Sequence, residues 1–210
     1  MKLKKFDDYI NEQELFEKAV TADDVYQTDP EKGVLKKKTK KRGLETVAVI
    51  LFDFDDNKVM GMARAEKYST DDVYISHRVL GIEKHGPLML ELMMSTICPF
   101  GIIPNRTINP GGIAMFTFFE QKRPDVIKTE LSKDHYWYAT EYSHNIKEEG
   151  LKDPAVLKMI NKSYKFEKPI PKYQILVDRG ESLMKKYNLH PNTIIEMAEK
   201  EFSQIYNAKL

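Results

Sequence analysis

The chain has 210 residues, 31% of them charged, with 33 Lys and Arg against 32 Asp and Glu and a formal net charge of +1. That balance creates no global field toward nucleic acid or an anionic membrane. The lone cysteine, Cys98, excludes an intrachain disulfide and suits a reducing compartment, and no apolar run approaches the ~20 residues that span a bilayer.

The opening residues, MKLKKFDDYINE, carry acidic groups early and lack a long apolar centre, so they do not read as a secretory signal. Residues 1–27 form an expected amphipathic arm, with Leu3, Phe6 and Ile10 three and four apart on one helical face. Residues 28–43 read as a linker holding Asp29-Pro30, Gly33 and the run KKKTKKR from Lys36 to Arg42. Like charges that dense resist compaction. The run fits a phosphate-binding strip or a solvated tether, and the absence of interleaved aromatic residues favours the tether.

The texture changes at Glu45. TVAVILFDF is a β-branched apolar run expected as a buried strand, Asp55-Asp56-Asn57 is turn chemistry, and KVMGMARAEKY follows as the hairpin partner. VYISHRVL, from Val73 to Leu80, alternates as a third strand. Gly86-Pro87 starts a helix, because the missing proline N–H costs nothing in a first turn. Leu88, Met89, Leu90, Leu92, Met93, Met94 and Ile97 surround that helix, which predicts burial, and Cys98-Pro99 ends it. GIIPNR is a short strand. Asn109-Pro110 caps a helix that turns Ile113, Phe116 and Phe119 to the core. DVIKTEL and YWYATEY are expected as a closing pair of strands. Pro154 to Ser163 reads as a short helix, followed by YQILVDRGESLMKKYN, interrupted at Gly180, and NTIIEMAEKEFSQIYN, capped by Asn192 or Thr193. The fold class is α/β, a mixed sheet flanked by helices, with a core over 44–150 and a C-terminal helical extension over 151–210.

That order of elements resembles the GNAT (Gcn5-related N-acetyltransferase) fold, in which a strand runs into a glycine-rich turn that opens a helix. More narrowly, GIEKHGPLMLELMMS, GIIPNR and NPGGIAMFTFFEQKRPDV are similar to a GNAT-like group of tailed bacteriophages. The features are Gly86-Pro87-Leu88, Pro104-Asn105-Arg106, Asn109-Pro110, the aromatic helix from Phe116 to Phe119 and Arg123-Pro124-Asp125-Val126, with VLKMINKSYKFE as the helix that follows. The resemblance covers roughly Glu45 to Phe166. It implies an acyltransferase that moves an acyl group from acetyl-CoA or a related acyl-CoA to an amine, with backbone amides of the turn on the pyrophosphate. The cofactor-binding residues so implied are Val79, Leu80, Lys84, His85, Gly86 and Leu88. The family loop reads Arg/Gln-x-x-Gly-x-Gly/Ala; ending it at Gly86 puts Gly81 in the Arg/Gln slot and Lys84 in the first Gly slot.

Acyl transfer needs a base for the amine and a donor at the leaving sulfur. The resemblance points to a late tyrosine for the donor, Tyr136 or Tyr138, of which Tyr138 is the candidate, and Glu66 on the second strand is the candidate base; half-buried sheet packing is the favoured reading of YWY. His77 and His85 flank the loop, with His77 read as a surface residue. No His, Cys, Asp and Glu spacing suits a metal.

The N-terminus is similar to capsid-targeting peptides of internal head proteins in large tailed phages, which end in Leu/Ile-x-Glu at a prohead protease site. Here Ile10-Asn11-Glu12 fits, giving a targeting peptide over 1–12 cleaved after Glu12; Leu15-Phe16-Glu17 also satisfies the tripeptide. The implied alternative is a non-catalytic GNAT-fold internal head protein, binding a host factor or serving as head structure. Expected locations are the host cytoplasm and the interior of the virion head. Expected partners are an acyl-CoA and an amine acceptor, or phage head components or a host protein, with no membrane and no nucleic acid.

Overall fold

A computed structural model describes residues 19–68, 70–82, 84–143 and 150–207. The expectations for the targeting peptide and its cleavage at Glu12 lie outside the described residues. The order is α1 (Ala22–Thr28), β1 (Lys32–Lys41), β2 (Leu44–Asp53), β3 (Lys58–Tyr68), β4 (Val73–Gly81), α2 (Gly86–Ile97), β5 (Gly101–Ile103), α3 (Pro110–Lys122), β6 (Ile127–Glu130), α4 (Pro154–Ile160), β7 (Lys162–Lys165), α5 (Pro171–Lys186) and α6 (Pro191–Asn207). The strands form one mixed sheet in the order β1-β2-β3-β4-β5-β7-β6. Only β4 and β5 pair in parallel; every other neighbour is antiparallel. This is the expected α/β class with helices on the sheet.

Alternation along β2 sorts the two faces. Val47, Val49 and Leu51 join a core with α2 and α3, while Ile50 and Phe52 join a second core with Leu183 of α5 and Ile194, Ala198 and Phe202 of α6. The helix after Gly86 is buried as predicted, with Leu88 and Leu92 each 1% exposed.

Several expectations differ from the fold. The 28–43 segment is no linker: Lys32–Lys41 is a ten-residue edge strand in register with β2, from Lys32↔Asp53 to Lys41↔Leu44. Its lysines are those of an exposed edge that must not pair with another chain. YWYATEY is not a strand. Arg106 Nη2 donates to the Tyr136 carbonyl at 2.7 Å and the Tyr138 carbonyl at 3.0 Å, which bends the segment into turns away from a ladder. The expected helix through Ser163 stops at Ile160, and Lys162–Lys165 becomes β7, slotted between β5 and β6. Gly180 does not interrupt α5. It lets the helix cross β1, since a Cβ there would lie 2.3 Å from the Val34 carbonyl oxygen. At the start of α6 the His190 ring takes the capping place assigned to Asn192 or Thr193, with Nδ1 accepting from the Asn192 N–H at 3.2 Å. The 151–210 segment supplies part of both cores.

Candidate functional site

β4 delivers the chain to the start of α2 through a four-residue turn. Gly81 permits it: a Cβ there would stand 2.4 Å from the Gly86 nitrogen. Lys84 has φ 68°, the left-handed conformation that glycine adopts without strain. The slot where the resemblance expects glycine thus keeps glycine's backbone geometry while carrying a lysine. His85 is buried at 3% exposure. Its N–H donates to the Ile82 carbonyl at 3.0 Å, and its Nδ1–H donates to the same carbonyl at 2.7 Å. His85 therefore closes the turn with an amide that is already committed. Pro87 has no N–H, and the first-turn amides of Gly86 and Leu88 have no acceptor among the described residues. A Cβ on Gly86 would meet nothing within 4 Å, so a side chain there would meet no described residue. The Lys84 carbonyl accepts from the Val20 N–H at 3.4 Å, which ties the chain ahead of α1 to the turn.

β4 also presents an open edge. Its pairing with β5 covers only Val73↔Gly101, Tyr74↔Ile102 and Ile75↔Ile103. β5 then meets Pro104, which has no N–H to continue the ladder. From Ser76 to Gly81, β4 has no strand partner on that side among the described residues. The parting coincides with a bulge: Arg64↔Arg78 is followed by Ala65↔Ser76, leaving His77 as the extra residue. Val79 and Leu80 lie on this open stretch, on opposite faces of the sheet, packing against the first and second cores respectively.

Glu66 stands at the bulge. Its carboxylate accepts from Arg64 Nη2 at 2.7 Å and Nε at 3.2 Å, from Thr46 Oγ1 at 3.4 Å and from His77 Nε2 at 3.2 Å. Burial holds the His77 pKa below its ordinary 6.5 against the opposing pull of Glu66, so at neutral pH a neutral imidazole faces the carboxylate.

Tyr138 lies elsewhere. It lines a hollow of about 630 Å3 with Glu130, Leu131, Pro154, Leu157 and Asn161, and none of residues 79–88 reaches that hollow. The hollow sits at the end of β6, three strand positions from β4, or about 14 Å across the sheet. The structure sets Glu66 opposite Ile75 and beside His77, at the start of the open stretch of β4 and away from the Gly81 turn at its end, and Tyr138 lines a hollow that neither Glu66 nor residues 79–88 line. A second hollow, of about 510 Å3, lies under the α5–α6 elbow, floored by Leu35, Ile50, Met184 and Ile195. No group of His, Cys, Asp and Glu among the described residues could hold a metal, and no described helix is long and apolar enough to cross a membrane.

Sequence reasoning found the turn and Glu66 but missed the open β4 edge and the pairing of His77 with Glu66. The alternation broken at His77-Arg78 was the available signal for the bulge. Comparisons with protein-family models, curated proteins and solved structures give no match for this chain.

Proposed function

We propose that the chain is an acyl-CoA-dependent N-acyltransferase of the GNAT kind. The observation that carries this reading is the strand β4 that runs six residues past its last pairing with β5 and ends in a glycine-like turn at the start of a twelve-residue helix. Bound acetyl-CoA supplies an activated thioester acyl group. In this reading the Gly86 and Leu88 amides, at the positive end of α2, donate to its pyrophosphate. Lys84 adds a point charge. The open backbone of β4 around Val79 and Leu80 is suited to an extended ligand bearing amides, which binds as an added strand does. Glu66, with His77 beside it, is the group on hand to take a proton from an incoming amine. Tyr138 is not assigned the role of donor to the leaving sulfur.

One observation favours a second reading, a phage GNAT-fold head protein without chemistry: His85 has spent its amide inside the turn, and Lys84 puts a side chain where the loop needs close approach.

Calorimetry with acetyl-CoA separates the two. The wild type should bind, Lys84→Ala should bind more weakly, and Gly86→Val should not bind. Because a Cβ at Gly86 enters open space, the valine variant should fold normally, and its loss of binding reports on the ligand rather than on stability. No binding by the wild type, with none gained in Lys84→Gly, sinks the acyltransferase and leaves the second reading.

A further inference from the structure

The lysine run and a set of aromatic rings, distant in sequence, meet on one end of the sheet. Along β1, residues 35, 37, 39 and 41 share the face of the second core. Register places Lys41 beside Leu44 and Tyr68, Thr39 beside Thr46 and Glu66, and Lys37 beside Ala48 and Arg64. The Arg64 row lies against α6, where Arg64 Nη1 is 4.0 Å from Glu199 and Lys37 Nζ donates to Asn192 at 3.0 Å. The two rows beyond it have no helix over them among the described residues. Lys41, Thr39 and Tyr68 are exposed there.

The turn segment around residues 135–138 borders the same end. Tyr136 Oη donates to Asp71 Oδ2 at 2.7 Å, and the Tyr68 N–H donates to the same oxygen at 3.1 Å. Asp71 thus joins the Tyr136 hydroxyl to the Tyr68 backbone, and both tyrosines are exposed, Tyr136 at 50% and Tyr68 at 53%. The His135 ring stacks on Tyr136 at 4.9 Å. Exposed aromatic rings held in place beside a cationic edge are the two elements of a platform for unstacked bases. The hairpin tip adds Lys40 and Arg42. Six of the chain's 33 Lys and Arg residues fall between Lys36 and Arg42, although the whole chain carries only +1. Of the carboxylates in the patch, Glu66 is engaged by Arg64 and His77 and Asp71 by Tyr136 and the Tyr68 N–H, while Asp72 and Asp134 lie exposed at its border. Lys38, on the opposite face, is paired with Glu45 at 2.9 Å.

We infer that this end of the sheet binds single-stranded nucleic acid, with Lys41 and Arg42 on phosphates and Tyr68 and Tyr136 stacked on bases. The expectation of no nucleic-acid partner rested on the near-neutral net charge and on the absence of aromatic residues within the lysine run; the fold gathers charge locally at the β1 end, and the sheet supplies aromatic residues from β3 and from the segment after β6. The surface lies toward the start of β4 and shares Glu66 and His77 with the candidate cofactor edge, but it does not depend on that edge.

The test is fluorescence anisotropy of the full chain with a labelled oligothymidylate of about 15 nucleotides. The wild type should bind at low salt and weaken as salt rises. Lys41→Ala and Arg42→Ala should each flatten the log–log salt slope by about 0.7. Tyr68→Ala should weaken binding roughly five- to hundredfold at fixed salt, and Tyr68→Phe should keep it. Circular dichroism should show the fold intact in each variant, and Arg42→Glu at the turn provides a variant outside the sheet. Three results overturn the proposal: no binding at about 50 mM salt, equal affinity for a duplex of the same length, or an unchanged affinity in Tyr68→Ala.

Discussion

Glu45 shows how one buried charge is settled. It accepts hydrogen bonds from the Tyr74 hydroxyl and from Lys38. Nearby, the buried Lys67 lays its ammonium over the Phe100 ring at 4.6 Å and the Tyr74 ring at 5.6 Å. Burial pushes the Glu45 carboxyl up, but the Tyr74 and Lys38 hydrogen bonds outweigh it and hold the group below its ordinary 4.5. A depressed carboxyl contributes stability that is present above the unfolded value and lost as pH falls through the folded one. Glu45→Gln should therefore cost about 1–3 kcal/mol at pH 7. It should also remove part of the acid slope, so that wild-type and variant denaturation midpoints converge below pH 4.5. Parallel curves across that window would show that Glu45 contributes no linkage. Such a cluster was not legible in the sequence, because Glu45, Lys67 and Tyr74 are brought together only by pairing across three strands. Lys84 was legible as a motif position, while its positive φ was a property of the slot and not of lysine.

At the scale of elements, what could be read was what had a period. β2, β3 and β4 carry long apolar or alternating runs, and α2 and α3 carry apolar faces between proline boundaries, so all five fell near their expected places. β1 has only Val34 and Leu35 in the core and lysine beyond, which leaves no period to read. β7 is four residues, and its position between β5 and β6 comes from non-local pairing. Gly180 looked like a break because glycine in a helix interior costs ~1 kcal/mol against alanine. Its use is a crossing: a Cβ on Gly33 would stand 2.5 Å from the Gly180 Cα, and a Cβ on Gly180 would stand 2.3 Å from the Val34 oxygen. Gly180→Ala gains propensity but must push α5 off β1, and overpacking of this kind costs about 1–3 kcal/mol. The denaturation midpoint should fall. A rise would mean that α5 can shift without loss and that the crossing is loose.

For the whole molecule, the question is whether the C-terminal helices are an appendage or part of the fold. They were expected as an extension, yet α5 begins in the first core, through Tyr173, Leu176 and Val177, and ends in the second, through Leu183. It covers the first half of the β1 edge at Gly33 and Val34 and leaves the cationic half free. Arg179 donates to the carbonyls of Val25, Tyr26 and Asp29, closing the end of α1. Glu91 of α2 receives both Arg123 and the Tyr173 hydroxyl, which ties α5 to the helix behind the candidate cofactor turn. Without α5 and α6, Leu35, Ile50, Phe52, Phe54, Val59 and Met62 would lose their covering layer. At about 1.5–3 kcal/mol for each large side chain, that loss is comparable to the 5–15 kcal/mol that holds a typical domain together. A chain ending at Lys168 should consequently show no cooperative thermal transition. Scanning calorimetry of that truncation reads this directly. A cooperative transition would mean that the sheet and its α2–α3 layer fold alone, with the helical layer as a separable module.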